Sequence, residues 1–179
     1  QGNEKSFRGS PSGDGRYVVF SSLADNLVPG DTNGFMDVFV LDRTTGNVER
    51  VSVGTGGVQS NGPSDYADIS ADGRFVVYES QADNLVPGDT NTTYDIFLYD
   101  RQTGQVDRIS TDINGIEANG ASLSPSVSDN GRYVGFQSQA TNLVADDTNG
   151  WTDIFVKDRV DGDVQRANLS SSGSQSVVS

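Results

Sequence analysis

The sequence predicts an all-β fold of β-propeller blades, with three four-stranded antiparallel blades in the chain, half of a six-bladed propeller. Three observations predict it. The phrase "GDGRYVVFSS" around Arg16 returns as "ADGRFVVYES" around Arg74 and "DNGRYVGFQS" around Arg132, a step of 58 residues. Asp37, Asp95 and Asp153 keep that step, as do Gly46, Gly104 and Gly162, so the repeat runs without insertion or deletion. Apolar residues gather in short runs separated by Gly, Asp, Asn and Ser, the texture of strands joined by turns.

Each repeat supplies four strands. In the middle copy the pattern places them at 66–70, 74–80, 95–100 and 106–111. The first two are joined by "ADG", where Gly73 can take the positive φ that other residues resist, and the last two by "RQTGQ", again with a turn glycine. Between the second and third strands runs the long loop "DNLVPGDTNTTY". Four antiparallel strands in a repeat of this length describe a propeller blade. The chain reads as a single three-blade unit over 1–179, with blades at roughly 7–56, 65–114 and 123–171 and linkers between.

The phrases "SADGRFVVY" and "DIFLYDRQTGQVDRIS" resemble the TolB-type, WD-repeat-like β-propeller blades of exported bacterial proteins. The likeness runs from about Gly9 to Leu169. It implies a propeller and a periplasmic, envelope or extracellular location, and it implies no single activity, because propellers carry many functions.

Composition narrows the chemistry. The 179 residues carry 25 acidic and 12 basic side chains, a formal net charge of −13. Such a surface repels phosphate backbones and anionic lipid, so no nucleic-acid partner is expected. No apolar run approaches the roughly 20 residues of a membrane helix, so no membrane insertion is expected. The sequence has no cysteine and no histidine, which excludes disulfides, thiolate zinc sites and Ser-His-Asp catalysis. No catalytic residues are assigned: Asp65, Asp68, Asp112, Glu117, Asp146 and Asp161 break the repeat, but they form no obvious pair.

The loop before each third strand carries the candidate site. Asp31, Asn33, the carbonyl of Phe35 and Asp37 stand at i, i+2, i+4 and i+6, the order in which a calcium loop presents its first oxygens. Asp89, Asn91 and Asp95 repeat the pattern, as do Asp147, Asn149 and Asp153. Asp42 stands twelfth from Asp31, but a strand would carry it roughly 16 Å beyond Asp37. Asp25 and Asp83, brought back by Pro-Gly turns, are the better additional ligands, and the third copy has Thr141 there. A structural Ca2+, about one per repeat loop, is the expectation. Its alternative is turn chemistry alone, since Asp and Asn bond neighbouring amides readily. Phe35, Tyr94 and Trp151 fall in the same loops and are the candidate ligand-binding aromatics, with packing between blades as the other reading.

Asp42-Arg43, Asp100-Arg101 and Asp158-Arg159 recur together with Arg50, Arg108 and Arg166, and read as arginine–carboxylate contacts between strands or blades.

Three functions follow. The first is a non-catalytic, calcium-stabilised binding module of a secreted or envelope protein, recognising a glycan or a protein. The alternatives are the propeller part of a secreted, carboxylate-based hydrolase of the glycosidase type, and a pure scaffold. The chain opens at Gln1 without a hydrophobic leader and reads as a processed or trimmed product. Three blades cannot close a ring, and on the 58-residue step Gln1 aligns with Gln59 and Gln175. The expected partner is therefore the chain itself, a head-to-tail homodimer closing a six-bladed ring, with half of a longer propeller as the alternative.

Overall fold

Why each repeat yields four strands is visible in the ladders. The computed structural model describes residues 1–174, so Gln175 lies outside the described residues. In the first repeat β1 (Ser6–Pro11), β2 (Tyr17–Ser22), β3 (Asp37–Asp42) and β4 (Val48–Arg50) pair in that order, each antiparallel to the next. A small ribbon of β5 (Val53–Gly54) and β6 (Val58–Gln59) follows in the linker. The second sheet is β7 (Ser64–Ile69), β8 (Phe75–Ser80), β9 (Asp95–Asp100) and β10 (Gln105–Arg108). The third is β11 (Ser122–Val127), β12 (Tyr133–Ser138), β13 (Asp153–Asp158) and β14 (Val164–Arg166). The fold is all-β, and among the described residues no helix is long and apolar enough to cross a membrane.

The third strand of the middle blade falls at 95–100 as the sequence predicts, while the first begins two residues earlier and the fourth stops three residues sooner. The fourth strand stops because a side chain takes over the ladder. Ser110 Oγ accepts the Ile96 amide at 3.1 Å, the donor a longer β10 would engage. Ser52 does the same to Val38 and Asn168 to Ile154, both at 3.0 Å.

The repeated contacts of Arg16, Arg74 and Arg132 lie within blades. Arg16 holds Asp42 through Nε (3.2 Å) and Nη2 (2.8 Å), and Arg74 holds Asp100 likewise at 2.9 and 2.7 Å. Arg132 engages Asp158 in the third blade. These guanidiniums keep Asp100 and Asp158 down at about 2. Arg43, Arg101 and Arg159 donate to the carbonyls of Gly15, Gly73 and Gly131, and Arg101 also pairs with Glu49 of the first blade.

The core lies between blades. Val19, Val38 and Val40 of the first meet Val76, Tyr78 and Phe97 of the second. The opposite face of the second, with Val77, Ile96 and Leu98, meets Val134, Phe136 and Phe155 of the third. Because side chains alternate along a strand, the middle sheet is apolar on both faces, and all six residues of β8 are buried. Within each blade one aromatic pair stacks across the second and third strands: Phe20–Phe39, Tyr78–Phe97 and Phe136–Phe155, with centroids 5.8, 6.0 and 5.9 Å apart.

Candidate functional site

The acidic loops gather around an arginine. Arg50 reaches back from the end of β4, and its Nη1 stands 2.9 Å from Asp31 and 3.4 Å from Asp37. Arg108 sits equivalently by Asp89 (3.3 Å) and Asp95 (3.9 Å), and Arg166 by Asp147 (2.8 Å) and Asp153 (3.2 Å). The register explains it: Arg50 pairs with Phe39, two residues into β3 from Asp37, on the same face. A guanidinium thus occupies the position between the carboxylates where the sequence reading places a cation.

The remaining expected ligands are turned to other partners. Asn33 donates its Nδ2 to Asp37 (2.8 Å) while its Oδ1 accepts the Phe35 amide (3.1 Å), the bonding of an Asx turn. Asn91 and Asn149 repeat both bonds. Asp37 also accepts from Ser52 (2.5 Å) and Ser60 (3.0 Å). Asp25 and Asp83 accept from the linker amides of Asn3 (2.7 Å) and Asn61 (2.6 Å), and Thr141 takes Asn119 in the third blade (3.0 Å). They fasten the linker to the loop.

The second loop differs from the first in charge. Glu117, where the first repeat has Gln59, stands 2.8 Å from Arg108, and single oxygens of Asp89, Asp95 and Glu117 lie within 4.8 Å of one another. Three carboxylates there share one guanidinium. Burial, and then the neighbouring Asp95 charge, push Asp89 up to about 6. Burial raises Asp31, Asp95 and Asp147 as well. For Asp153 burial acts upward, but bonds from Asn168, Arg166 and Asn149 outweigh it and hold the group below its usual value.

Of the loop aromatics, Phe35 and Trp151 stand out from the surface at 40% and 56% exposure. Tyr94, one position further on in its repeat, is half-buried, and burial with the charges of Glu79 and Asp65 raises its hydroxyl.

Those two carboxylates belong to a second cluster along the innermost strands. The register sets Asp65 of β7 directly opposite Glu79 of β8, a cross-strand pair of acids that the sequence reading did not find. One signal was present: positions 21, 79 and 137 read Ser, Glu and Gln. Each innermost strand has a bulge, and there Arg8, Tyr66 and Ser124 take φ of 54°, 51° and 53°. Non-glycine residues in this region carry strain that the surroundings must hold in place. Arg8 lies over the Tyr66 ring, 3.4 Å from its centroid, with Nε 3.7 Å from Asp65. Glu79, 5% exposed, accepts the Ser124 amide at 2.7 Å, and burial raises its pKa. Asp68 ties the neighbouring blades, accepting Ser10 Oγ (2.9 Å) and the Val127 amide (3.0 Å). Arg8, Tyr66, Asp68 and Ser124 border a shallow cavity of about 300 Å3.

No protein-family model matches the chain, and no curated protein does. Solved structures do. TolB from Acinetobacter baumannii superposes with a TM-score of 0.57 at 18% identity, over 96% of this chain and 34% of its own. The putative TolB from Agrobacterium tumefaciens gives 0.58 at 21% identity, over 90% and 48%. The β-propeller domain of the Trilobed protease from Pyrococcus furiosus gives 0.56 at 12%, over 93% and 44%. The chain therefore spans a third to a half of the length of these proteins. At these identities the likeness is one of fold: the three sheets are β-propeller blades, like those of TolB.

Proposed function

We propose that the chain is a non-catalytic binding module of an exported protein, and that it meets its ligand along the innermost strands. One observation carries this. Arg8, Tyr66 and Ser124 hold the same repeat position and the same strained backbone, yet differ in size and charge. Where a repeat is kept for architecture the copies agree, and strained residues that differ mark a place that serves recognition. The ligand is a protein segment presenting a basic side chain. Asp65 and the Tyr66 ring receive Arg8 from this chain, and a ligand cation would take the same carboxylate and ring face by displacing Arg8.

Binding rather than catalysis fits the state of the acids. Asp68 has both oxygens engaged, and Glu79 is sealed beneath the Ser124 amide. A general acid or base needs reach to substrate that neither has. The hydrolase alternative would draw its chemistry from other parts of a larger protein. Export is proposed on the likeness to TolB-type blades.

An array of short peptides tests the reading. Basic peptides should bind the chain, and Asp65→Asn or Tyr66→Asn (Asn tolerates the left-handed backbone) should weaken them at least tenfold. Binding that ignores both substitutions, or that prefers acidic peptides, overturns it. A glycan ligand is the second reading, favoured by the exposed rings of Phe35 and Trp151, which offer stacking faces on the loop end. It requires arrayed glycans to bind and Trp151→Ala to abolish the signal.

The calcium reading narrows to one loop. Each cluster already holds a guanidinium, and the one in which three carboxylates outnumber it is that of Asp89, Asp95 and Glu117. One ion per chain is proposed there, in place of three.

A further inference from the structure

The two junctions between blades are copies of one another. At the first, Gly73 packs so closely on the Tyr17 ring that a Cβ would lie 2.2 Å from it. Arg101 covers the ring, 4.1 Å from its centroid, and donates to the Gly73 carbonyl. At the second, Gly131 stands against Phe75, a Cβ there lying 2.0 Å from the ring. Arg159 covers Phe75 at 4.0 Å and donates to the Gly131 carbonyl. Main-chain bonds repeat too: the Gly13 amide to the Ala71 carbonyl, and the Ala71 amide to the Asp129 carbonyl, both 3.0 Å.

Both halves of a third such junction lie at opposite ends of the molecule. On the third blade Tyr133 and Ile154 are 43% and 44% exposed, where their equivalents Phe75 and Ile96 are 5% and 0%. On the first blade Arg43 donates to the Gly15 carbonyl at 2.8 Å, as Arg101 does to Gly73, but among the described residues no ring lies beneath it. Val18 and Phe20 are half-buried there, where Val76 and Tyr78 are sealed. The grooves match as well. Arg101 enters a groove of about 180 Å3 bordered by Tyr17, Val40, Asp42, Asn47 and Glu49. Two repeats on, Tyr133, Val156, Asp158, Asp163 and Gln165 border a groove of about 150 Å3 with no arginine in it. Asp163 replaces Asn47 there while Gln165 replaces Glu49, the acid that pairs with Arg101, so this groove keeps two carboxylates for an incoming cation, one of them moved.

We infer that a second copy of this chain completes the ring. Its Gly15 packs on the Tyr133 ring, and its Arg43 covers that ring and enters the groove beside Asp158 and Asp163. Because the same two faces lie on both copies, the contact is made twice and a six-bladed ring closes on a twofold axis. The inference rests on reading the chain as a propeller module, and it takes the internal junctions as its template. Burial of the two apolar ends is the driving force.

Molar mass by light scattering tests it. The expected mass is twice the 19.0 kDa of the chain. Ile154→Asp, a charge on an exposed position of the third blade, should return the mass to that of one chain without unfolding it, as circular dichroism would verify. Cross-linking fixes the orientation, helped by the absence of native cysteine. Arg43→Cys and Tyr133→Cys proteins, mixed and treated with a short bis-maleimide, should link to one another, and neither should link to itself. A wild-type chain that stays monomeric overturns the inference and leaves the faces to blades from elsewhere. A dimer indifferent to Ile154→Asp, or without the mixed cross-link, overturns it too. A monomer that still binds basic peptides fails the ring alone, whereas a dimer that binds none fails the binding alone.

Discussion

Arg50 and Asp31 are 2.9 Å apart, with side chains 9% and 5% exposed, and the pair recurs as Arg108–Asp89 and Arg166–Asp147. A buried ion pair adds little net stability when complete, but removing one partner leaves an uncompensated charge. Arg50→Met should therefore destabilise the chain by about 3–5 kcal/mol, measured by urea denaturation. Arg50→Lys should recover only part, since both contacts come from one nitrogen, Nη1, whose charge an ammonium supplies but whose position the shorter side chain does not reach as well. A loss below about 1 kcal/mol for Arg50→Met would mean that the carboxylates find another cation.

The pH dependence follows from Asp89, raised from 3.8 to about 6. An acid raised in the folded state is stabilising when protonated, so its contribution is complete below about pH 4 and is lost as pH rises through 6. The gap corresponds to about 3 kcal/mol. Asp100 and Asp158, held at about 2 by Arg74 and Arg132, act in the opposite sense, and their contribution is lost only as pH falls through that value. Between pH 4 and 7 stability should decline with pH, and Asp89→Asn should flatten the decline. Asp31, Asp95, Asp147 and Glu79, raised by burial, leave a smaller slope of the same sign. An identical pH profile for Asp89→Asn would refute the assignment.

Three carboxylates around one guanidinium also set the response to calcium. Millimolar Ca2+ should raise the melting temperature of the wild-type chain, and titration calorimetry should count one ion. Glu117→Gln should abolish the rise, whereas Asp31→Asn should leave the calcium increment intact. Three ions per chain would restore one per loop, and none would leave "DTNG" as turn chemistry alone.

What the sequence made legible depended on range. The strand at Asp95–Asp100 and its copies could be placed because apolar periodicity and flanking turns are local signals. The loop acids could be seen to converge for the same reason, being six residues apart. Their partner could not, because Arg50 meets Asp37 only through the β3–β4 register that sets Phe39 against Arg50. The pair of Asp65 and Glu79 was hidden likewise: the two are fourteen residues apart and become neighbours only when β7 folds onto β8. The repeat itself located Asp65 and Asp68 as departures, since any position that breaks a period of 58 stands out without a structure.

Two glycines with nearly the same backbone separate junction packing from backbone strain. Gly46 has φ +77° and open space around a prospective Cβ, while Gly73 has φ +72° and the Tyr17 ring 2.2 Å away. Gly46→Ala should cost about 1–2 kcal/mol, the penalty of a left-handed conformation. Gly73→Ala should cost that plus about 1–3 kcal/mol for forcing the ring aside. In a Tyr17→Ala background the additional cost should vanish, because the space it needs is then free, and the double-mutant cycle should show a coupling of about 1 kcal/mol or more. Equal costs for the two glycines would place the Tyr17 ring away from the Gly73 turn. The template for the third junction would go with it, since Tyr133 and Gly15 were matched on that contact.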